Sequence, residues 1–209
     1  MKSSQTYEQL IVFTRYPEPG RTKTRLATAL GDRGAAEIQR VLTEHTAARI
    51  RDLRKARNLA LTIYYAGGDE QKMKEWLGAD FTYRPQVSGG LGERLIRACS
   101  DAFGKGYKRV VIIGSDCPDL EASHLKQAFE ALYHKDLVLG PAADGGYYLI
   151  GMSREVKEVF TEIPWSTKGV MAATLNIAEK LGLTFETLTT LNDVDRPEDL
   201  KHINHYSGI

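Results

Sequence analysis

Short apolar runs alternate with segments of helical period along the chain, and this alternation restricts the fold more than any other feature of the sequence. The runs are five to seven residues long, which is typical of buried strands, and they lie at residues 10–14, 59–65, 109–113, 136–140, 147–151 and 184–188. Helices are predicted at residues 34–55, 70–77, 91–103, 124–133, 170–181 and 197–203. Strands separated by helices predict a mostly parallel sheet covered on both faces, a three-layer α/β/α architecture.

The length and composition are typical of a single domain. No repeat or linker divides the sequence, so residues 1–209 are expected to form one domain. Lys and Arg number 28 against 27 Asp and Glu, a net charge of +1 that gives no support for binding nucleic acid or an anionic membrane. Residues 1–8 are polar, no apolar stretch approaches the ~20 residues of a membrane span, and two cysteines suit a reducing compartment. A cytoplasmic location is expected.

A basic segment, residues 15–26, directly follows the first predicted strand. In parallel α/β sheets ligands bind beyond the carboxyl ends of the strands. Prolines at 17 and 19 stiffen the turn, and Gly20 lets the backbone approach a ligand closely. Four cations fall within eleven residues: Arg15, Arg21, Lys23 and Arg25. The segment lacks the Walker pattern but has the donors that a phosphate site needs, so it predicts phosphate binding, with a solvated basic turn as the alternative.

A carboxylate stands at the end of the most strand-like run, where residues 110–113 lead through Gly114 and Ser115 to Asp116. A carboxylate at this edge of the sheet suits Mg²⁺ or Mn²⁺, which prefer oxygen ligands and bridge phosphates. The alternative is that Asp116 only caps a turn. Asp119 is a candidate cap for the next helix. Cys117 is expected to pack rather than to react, because no histidine lies near it in sequence.

Further acidic residues follow two later strands. Asp144 precedes Gly145 and Gly146, which favours backbone packed against a substrate, although a plain turn would look the same. After the last strand, either Asp193 or Asp195 could complete a metal site, while the other caps the helix near residue 197.

Taken in order, these motifs resemble the nucleotide-diphospho-sugar transferase superfamily with the GT-A fold. The resemblance is closest to a bacterial glycosyltransferase-like family found beside radical-SAM and selenodomain genes and linked to arsenosugar biosynthesis. It extends from about residue 10 to residue 200. The residues that carry it are Phe13 and the segments 17–26, 90–95, 114–120, 144–148, 164–167 and 193–195.

The resemblance implies roles for individual residues. Phosphates are expected on Lys23 and Arg25, and a divalent cation, Mg²⁺ or Mn²⁺, on Asp116 and Asp195. Residues 89–94 correspond to the place of the nucleobase and ribose. The implied nucleotide-binding set is Pro17, Gly20, Arg21, Lys23, Arg25, Gly90 and Arg94, and the implied catalytic set is Lys23, Arg25, Asp116 and Asp144. Trp165 could stack on a sugar or base, with packing as the alternative.

One departure from the superfamily leaves the reaction open. Its glycosyltransferases usually carry Asp-x-Asp, whereas residues 115–118 offer the single carboxylate of Asp116. The first hypothesis is metal-dependent glycosyl transfer from a nucleotide-sugar to a small-molecule acceptor. The second is transfer of a nucleoside monophosphate to a phosphorylated acceptor with release of pyrophosphate. The third is a nucleotide-binding module without catalysis.

Overall fold

Seven strands form one sheet in the computed structural model, which describes residues 7–203. The strands are β1 (Glu8–Arg15), β2 (Ala60–Ala66), β3 (Thr82–Pro85), β4 (Arg109–Ile113), β5 (Leu137–Pro141), β6 (Tyr147–Met152) and β7 (Phe185–Thr187). Their order across the sheet is β3-β2-β1-β4-β6-β5-β7, and only β6 runs antiparallel to its neighbours among these strands. The polar segment 1–8, in which no signal peptide is expected, lies mostly outside the described residues.

Five α-helices cover the two faces of this sheet within the described chain. They are α1 (Ala27–Ala56), α2 (Glu70–Leu77), α3 (Leu91–Gly104), α4 (Ala122–Ala131) and α5 (Val170–Lys180). Side chains of a strand alternate between faces, so Leu10 and Val12 pack with α1, α2 and α4, whereas Ile11 packs with α3 and α5. The predicted three-layer α/β/α fold with a mostly parallel sheet is confirmed.

The structure corrects several predicted elements. Strand β3 was not predicted, because four residues with alternating exposure give too short a pattern to recognise. Helix α1 begins at Ala27 rather than at residue 34, and the non-helical backbone of Gly31, at φ 67°, divides its first turn from the rest. The last predicted helix is a 3-10 helix, Pro197–His202. Helix α4 begins after Glu121, so Asp119 is not its N-cap.

Apolar side chains form one cluster on each face of the sheet, and a third, smaller cluster lies between two loops at the carboxyl ends of the strands. Leu26, which follows the basic segment, and Val194, which separates Asp193 from Asp195, are both fully buried in it against Ile38 and Leu42 of α1. Burying a Leu or Val side chain stabilises a fold by about 1.5–3 kcal/mol. The cluster therefore fixes the charged residues on either side of Leu26 and Val194 in place.

Between residues 7 and 203, the structure has no helix that is both long and apolar enough to cross a membrane.

Candidate active site

A cleft of about 270 Å³ opens at the carboxyl ends of β1 and β4. This is where a parallel α/β sheet is expected to bind a ligand, because the loops that leave its strands converge there. The residues that line the cleft are Phe13, Thr14, Arg15, Lys23, Gln39, Gln86, Leu91, Ser115, Asp116 and Asp195. Arg15 and Lys23 of the basic segment thus lie close to Asp116 and Asp195, which are far from that segment along the chain.

The ammonium group of Lys23 joins three loops at the centre of the cleft. It donates to Asp116 Oδ1 at 2.8 Å and to the carbonyl oxygen of Val194 at 2.6 Å. The backbone N–H of Val194 in turn donates to the carbonyl oxygen of Asp116 at 2.9 Å. The Lys23 side chain is 3% exposed, whereas that of Asp116 is 45% exposed. The Asp116 carboxylate therefore remains open to the cleft, while the ammonium is covered.

The other cations of the basic segment are more exposed than Lys23. Arg25 pairs with Asp195 at 2.6 Å, and both side chains are more than a third exposed. Arg21 is largely exposed and lies 3.6 Å from Glu18. Arg15 donates to the carbonyl oxygen of Arg21 at 3.3 Å. These side chains reach solvent, so their guanidinium groups are accessible from outside the protein.

The turn before Lys23 is rigid for reasons that its sequence partly reveals. The buried hydroxyl of Thr22 donates to the carbonyl oxygen of Tyr16 and accepts from the N–H of Glu18, closing the turn that contains Pro17. Gly20 has a φ of 77°, which lies in the left-handed region that favours glycine. Pro17 and Gly20 are not among the residues that line the cleft, and their predicted part in nucleotide binding stays a prediction.

A buried polar network forms the floor of the cleft, and the sequence analysis missed it. The side-chain amide nitrogen of Gln39, on α1, lies 2.9–3.2 Å from the hydroxyl oxygens of Thr14, Thr43 and Ser115 and shares its two hydrogens among them. Thr14 and Ser115, at the ends of β1 and β4, are themselves 2.9 Å apart. Buried polar groups are stable only when they are hydrogen-bonded, so this network fixes the backbone just before Asp116. A glutamine on an apolar helix stripe was the signal available in the sequence.

The segment after β3 forms one wall of the cleft. The side-chain amide of Gln86 donates to the carbonyl oxygens of Thr14 and Tyr64, both at 3.0 Å. Arg94 supports this segment by donating to Gly89 O at 2.9 Å and Gln86 Oε1 at 3.3 Å. Glu93 accepts from the N–H of Gly90 at 2.7 Å. Arg94 and Gly90 therefore shape the wall, and the partly exposed Leu91 lines it.

Two more carboxylates lie beside the cleft. The parallel bridge between Ala142 and Leu191 brings Asp144 and Asp193, each two residues further on, to the same level. Asp144 accepts a hydrogen bond from the N–H of Gly146 at 2.8 Å. Burial, and after it the nearby carboxylates of Asp144 and Asp116, raise the pKa of Asp193 to about 6. The carboxylates of Asp144 and Asp116 are therefore close enough to Asp193 for their negative charges to disfavour its ionisation.

The carboxylate set fits a phosphate-bound divalent cation. Within residues 7–203, no group of three or more His, Cys, Asp or Glu side chains is placed to hold a metal ion. Mg²⁺ is commonly held by one or two carboxylates while substrate phosphates and water complete its shell, so a full protein cage is not required. Asp116 and Asp195 both line the cleft. Neither Asp193 nor Asp195 supplies the N-terminal cap of the 3-10 helix, since Asp199 accepts from the N–H of Arg196.

Trp165 and Cys117 have packing partners. The Trp165 ring meets Tyr147 edge to face at 6.2 Å, and its indole nitrogen lies where a side chain on Gly92 would stand. Both contacts are of the kind expected for packing, which was the alternative to ligand stacking. Cys117 is buried, and burial raises the pKa of its thiol well above the ordinary value. The expectation that Cys117 packs rather than reacts agrees with this environment.

Comparison with protein families matches residues 49–167 to a family described as uncharacterized proteins conserved in bacteria (DUF2064). No curated protein sequence matches the chain. A crystal structure from Desulfovibrio desulfuricans G20, described as a proposed nucleotide-diphospho-sugar transferase, is 33% identical to this chain, with a TM-score of 0.84 over 97% of this chain and 90% of that one.

Two more distant structures share the fold. A 4-diphosphocytidyl-2C-methyl-D-erythritol synthase from Anaerococcus prevotii is 11% identical, with a TM-score of 0.62 over 96% of this chain and 98% of that one. Glucosyl-3-phosphoglycerate synthase from Mycobacterium tuberculosis, solved with Mn²⁺ and UDP, is 15% identical, with a TM-score of 0.56 over 96% of this chain and 76% of that one. The match to structures of this kind confirms the predicted GT-A fold.

Proposed function

Because the chain belongs to the DUF2064 family and has the fold of nucleotide-using transferases, we propose that it is an enzyme that transfers a group from a nucleotide-activated donor with the help of a divalent cation. The donor is a nucleotide or nucleotide-sugar, and the acceptor is a small molecule. The observation that carries the proposal is the pairing of Lys23 with Asp116 in a cleft that Arg15 and Asp195 also line. Phosphate-binding cations and metal-binding carboxylates meet at this one point.

In the proposed complex, Lys23, Arg25 and Arg21 hold the oxygens of the donor's diphosphate. Asp116 and Asp195 hold Mg²⁺ or Mn²⁺, which when bound neutralises the charge that develops on the leaving phosphate. Asp193 is buried beside Asp144, and we assign it the role of strengthening the negative field around the cation. Residues 86–94 form the wall that Gly90 and Arg94 shape, and this wall is the proposed binding site of the nucleobase and ribose.

Asp144 is the proposed general base for the acceptor. It lies in the turn after β5, which ends at Pro141, is exposed, and is oriented by the N–H of Gly146. An exposed carboxylate held in one orientation beside the cleft can accept the proton of an attacking hydroxyl group. We further propose that all of residues 1–209 act as one domain, since strands from β1 to β7 share one sheet.

Glycosyl transfer from a nucleotide-sugar is the first candidate reaction. The relative from Desulfovibrio desulfuricans that supports it is described as a proposed nucleotide-diphospho-sugar transferase. The resemblance to the family linked to arsenosugar biosynthesis favours the same donor class. The test is to identify the product formed with Mn²⁺ present: glycosyl transfer releases a nucleoside diphosphate, and release of pyrophosphate from a nucleoside triphosphate would reject it.

Nucleotidyl transfer is the second candidate, because the loop after β4 offers only Asp116 where an Asp-x-Asp pair would be expected. In this reaction a phosphorylated acceptor attacks a nucleoside triphosphate and pyrophosphate leaves. Purified protein incubated with nucleoside triphosphates and sugar phosphates would then produce pyrophosphate. If neither product forms while nucleotide still binds, the chain is a binding module rather than an enzyme.

A further inference from the structure

The backbone at Lys23 is unusual. Its φ of 45° lies in the left-handed region, which is uncommon for a residue other than glycine. Such a conformation persists only when surrounding contacts hold it. Here the carbonyl oxygen of Lys23 accepts from the N–H of Leu26 at 2.8 Å, and the ammonium group reaches both Asp116 and the backbone of Val194. These contacts hold the side chain in a defined place rather than leaving it free in solvent.

The contacts of Lys23 conflict with the roles that the proposed function gives it. Its ammonium is expected to contact the donor's phosphates, yet it is 3% exposed and bound to Asp116. The Asp116 carboxylate is expected to bind a divalent cation, yet one of its oxygens already accepts from Lys23 at 2.8 Å. Neither group can take its proposed partner fully while they hold each other.

We propose that Lys23 is the resident cation of the metal site in the ligand-free protein, and that it leaves Asp116 for the donor's phosphates when a divalent cation binds. This inference rests on the proposed function, because it takes Asp116 as a metal ligand. It goes beyond that function because binding of the divalent cation and binding of the nucleotide would both depend on the separation of Lys23 from Asp116. No bond is formed or broken, and the net charge next to Asp116 rises by one when a divalent cation replaces the ammonium.

The exchange predicts positive coupling between metal and nucleotide. A protein whose binding-competent form is only partly populated binds with an affinity reduced by that fraction. Minor forms of proteins are commonly populated at about 0.1–10%. The first ligand to separate Lys23 from Asp116 bears this cost, and the second ligand then binds without it. The free protein is thereby kept from binding metal tightly when no donor is present.

The neighbouring ion pair provides a control within the same chain. Arg25 and Asp195 also join the basic segment to the loop after β7, but both side chains are more than a third exposed. Exposed pairs contribute little, about 0–1 kcal/mol, because water competes for both partners. Removing Arg25 deletes the same charge a few residues away without freeing Asp116. It therefore measures the loss of one charge together with the release of Asp195 from a weak, exposed pair, and the effect of Lys23→Met must exceed it.

The first experiment is a titration of the protein with Mn²⁺ alone, followed by the electron paramagnetic resonance of the free ion. We expect Lys23→Met to bind Mn²⁺ about tenfold or more tightly than wild type, and Arg25→Met to change the affinity by less than about threefold. Equal affinities for wild type and Lys23→Met would overturn the exchange and leave the proposed metal site standing. Absence of Mn²⁺ binding in every variant would overturn the metal site as well.

The second experiment needs no substitution at Lys23, so it holds even if Lys23→Met fails to fold. Wild-type protein is acetylated briefly with an amine-reactive reagent, and modification of each lysine is quantified by peptide mass spectrometry. We expect Lys23 to be protected without metal and to be modified at least about fivefold faster when Mn²⁺ is present, since it then loses its buried partner. Exposed Lys55 should react at the same rate in both conditions. An unchanged rate at Lys23 would contradict the exchange.

Discussion

The two ends of the sheet both carry ion pairs, but their carboxylates are satisfied to different degrees. At the amino ends of β1 and β4, Glu8 is buried and accepts hydrogen bonds from Arg57, Arg109 and Tyr133. At the carboxyl ends, Asp116 receives one ammonium, that of Lys23, and remains 45% exposed. The carboxylate at one end of the sheet thus has several hydrogen-bond donors and is buried, whereas the carboxylate at the other end has one side-chain donor and is partly exposed.

The pKa values at the two ends shift in opposite directions. Burial raises the pKa of Glu8, but hydrogen bonds from Arg57 and Arg109 outweigh it and leave the pKa below its ordinary value. At the other end, burial and the nearby carboxylate of Asp144 raise the pKa of Asp193 to about 6. The two arginines thus keep Glu8 ionised, whereas neighbouring carboxylates disfavour ionisation of Asp193, and a bound cation would relieve that repulsion. We therefore propose a structural role for Glu8 at the amino ends of the strands and a ligand-binding role for the carboxylates at the carboxyl ends.

The largest effect is expected at Asp116. Asp116→Asn should reduce transfer activity by about 100-fold or more, since it removes a group that stabilises charge on the leaving phosphate. The amide oxygen can still accept from Lys23, so the melting temperature should change by only a few degrees. Product formation and thermal unfolding of the same preparation check both statements. Activity within tenfold of wild type would remove Asp116 from the site.

Glu8 should show the opposite pattern. Glu8→Gln leaves Arg57 and Arg109 without their common carboxylate, which should cost about 3 kcal/mol and lower the melting temperature by roughly 6–12 °C. Nucleotide affinity should be unchanged. The matched control is Glu37→Gln, which breaks an exposed pair with Arg40 and should cost less than about 1 kcal/mol. Equal losses in the two variants would contradict the distinction between the two ends.

Acid should lower the free energy of unfolding through the same carboxylate, that of Glu8. Because the pKa of Glu8 is lower in the folded protein, its contribution is present above the ordinary value of 4.5 and is lost as the pH falls through the folded-state pKa. Urea midpoints measured from neutral pH to about pH 3 should therefore converge for wild type and Glu8→Gln at the acid end. A difference that stays constant with pH would contradict the assignment.

Arg25 should show the smallest effect. Arg25→Gln breaks an exposed pair, so the free energy of unfolding should change by less than about 1 kcal/mol. Loss of a charge-assisted contact to phosphate should weaken nucleotide binding by about tenfold. Calorimetry and urea unfolding separate these effects. A large loss of stability without a loss of affinity would assign Arg25 to the fold instead.

Most of the fold could be predicted from the sequence because buried strands and amphipathic helices have distinct periods. Strand β4 and helix α2 have the predicted bounds, 109–113 and 70–77. Strand β3 could not be recognised, since its pairing with β2 rather than its own sequence defines it. The early start of α1 was hidden by Gly31, which interrupts the helical pattern without ending the helix.

The site could be predicted as a set of residue types but not as a set of contacts. The positions of Lys23 and Asp116 after two strands predicted that they would approach each other. Nothing in the sequence indicated that Lys23 would be buried against Asp116 and Val194, because this depends on the apolar cluster that holds Leu26 and Val194. Gln39 was missed because its partners Thr14 and Ser115 are distant in sequence.

The most direct test of the central claim is a thermal-unfolding panel of nucleoside diphosphates, nucleoside triphosphates and nucleotide-sugars, each with Mn²⁺ and with a chelator. A ligand at 100 times its dissociation constant stabilises the fold by about 2.7 kcal/mol, which corresponds to roughly 5–10 °C here. We expect at least one nucleotide to produce this shift only with Mn²⁺, and Asp116→Asn to lose it. A nucleotide shift that persists with the chelator, or a Mn²⁺-dependent shift that survives in Asp116→Asn, would contradict a metal-dependent nucleotide site at Asp116.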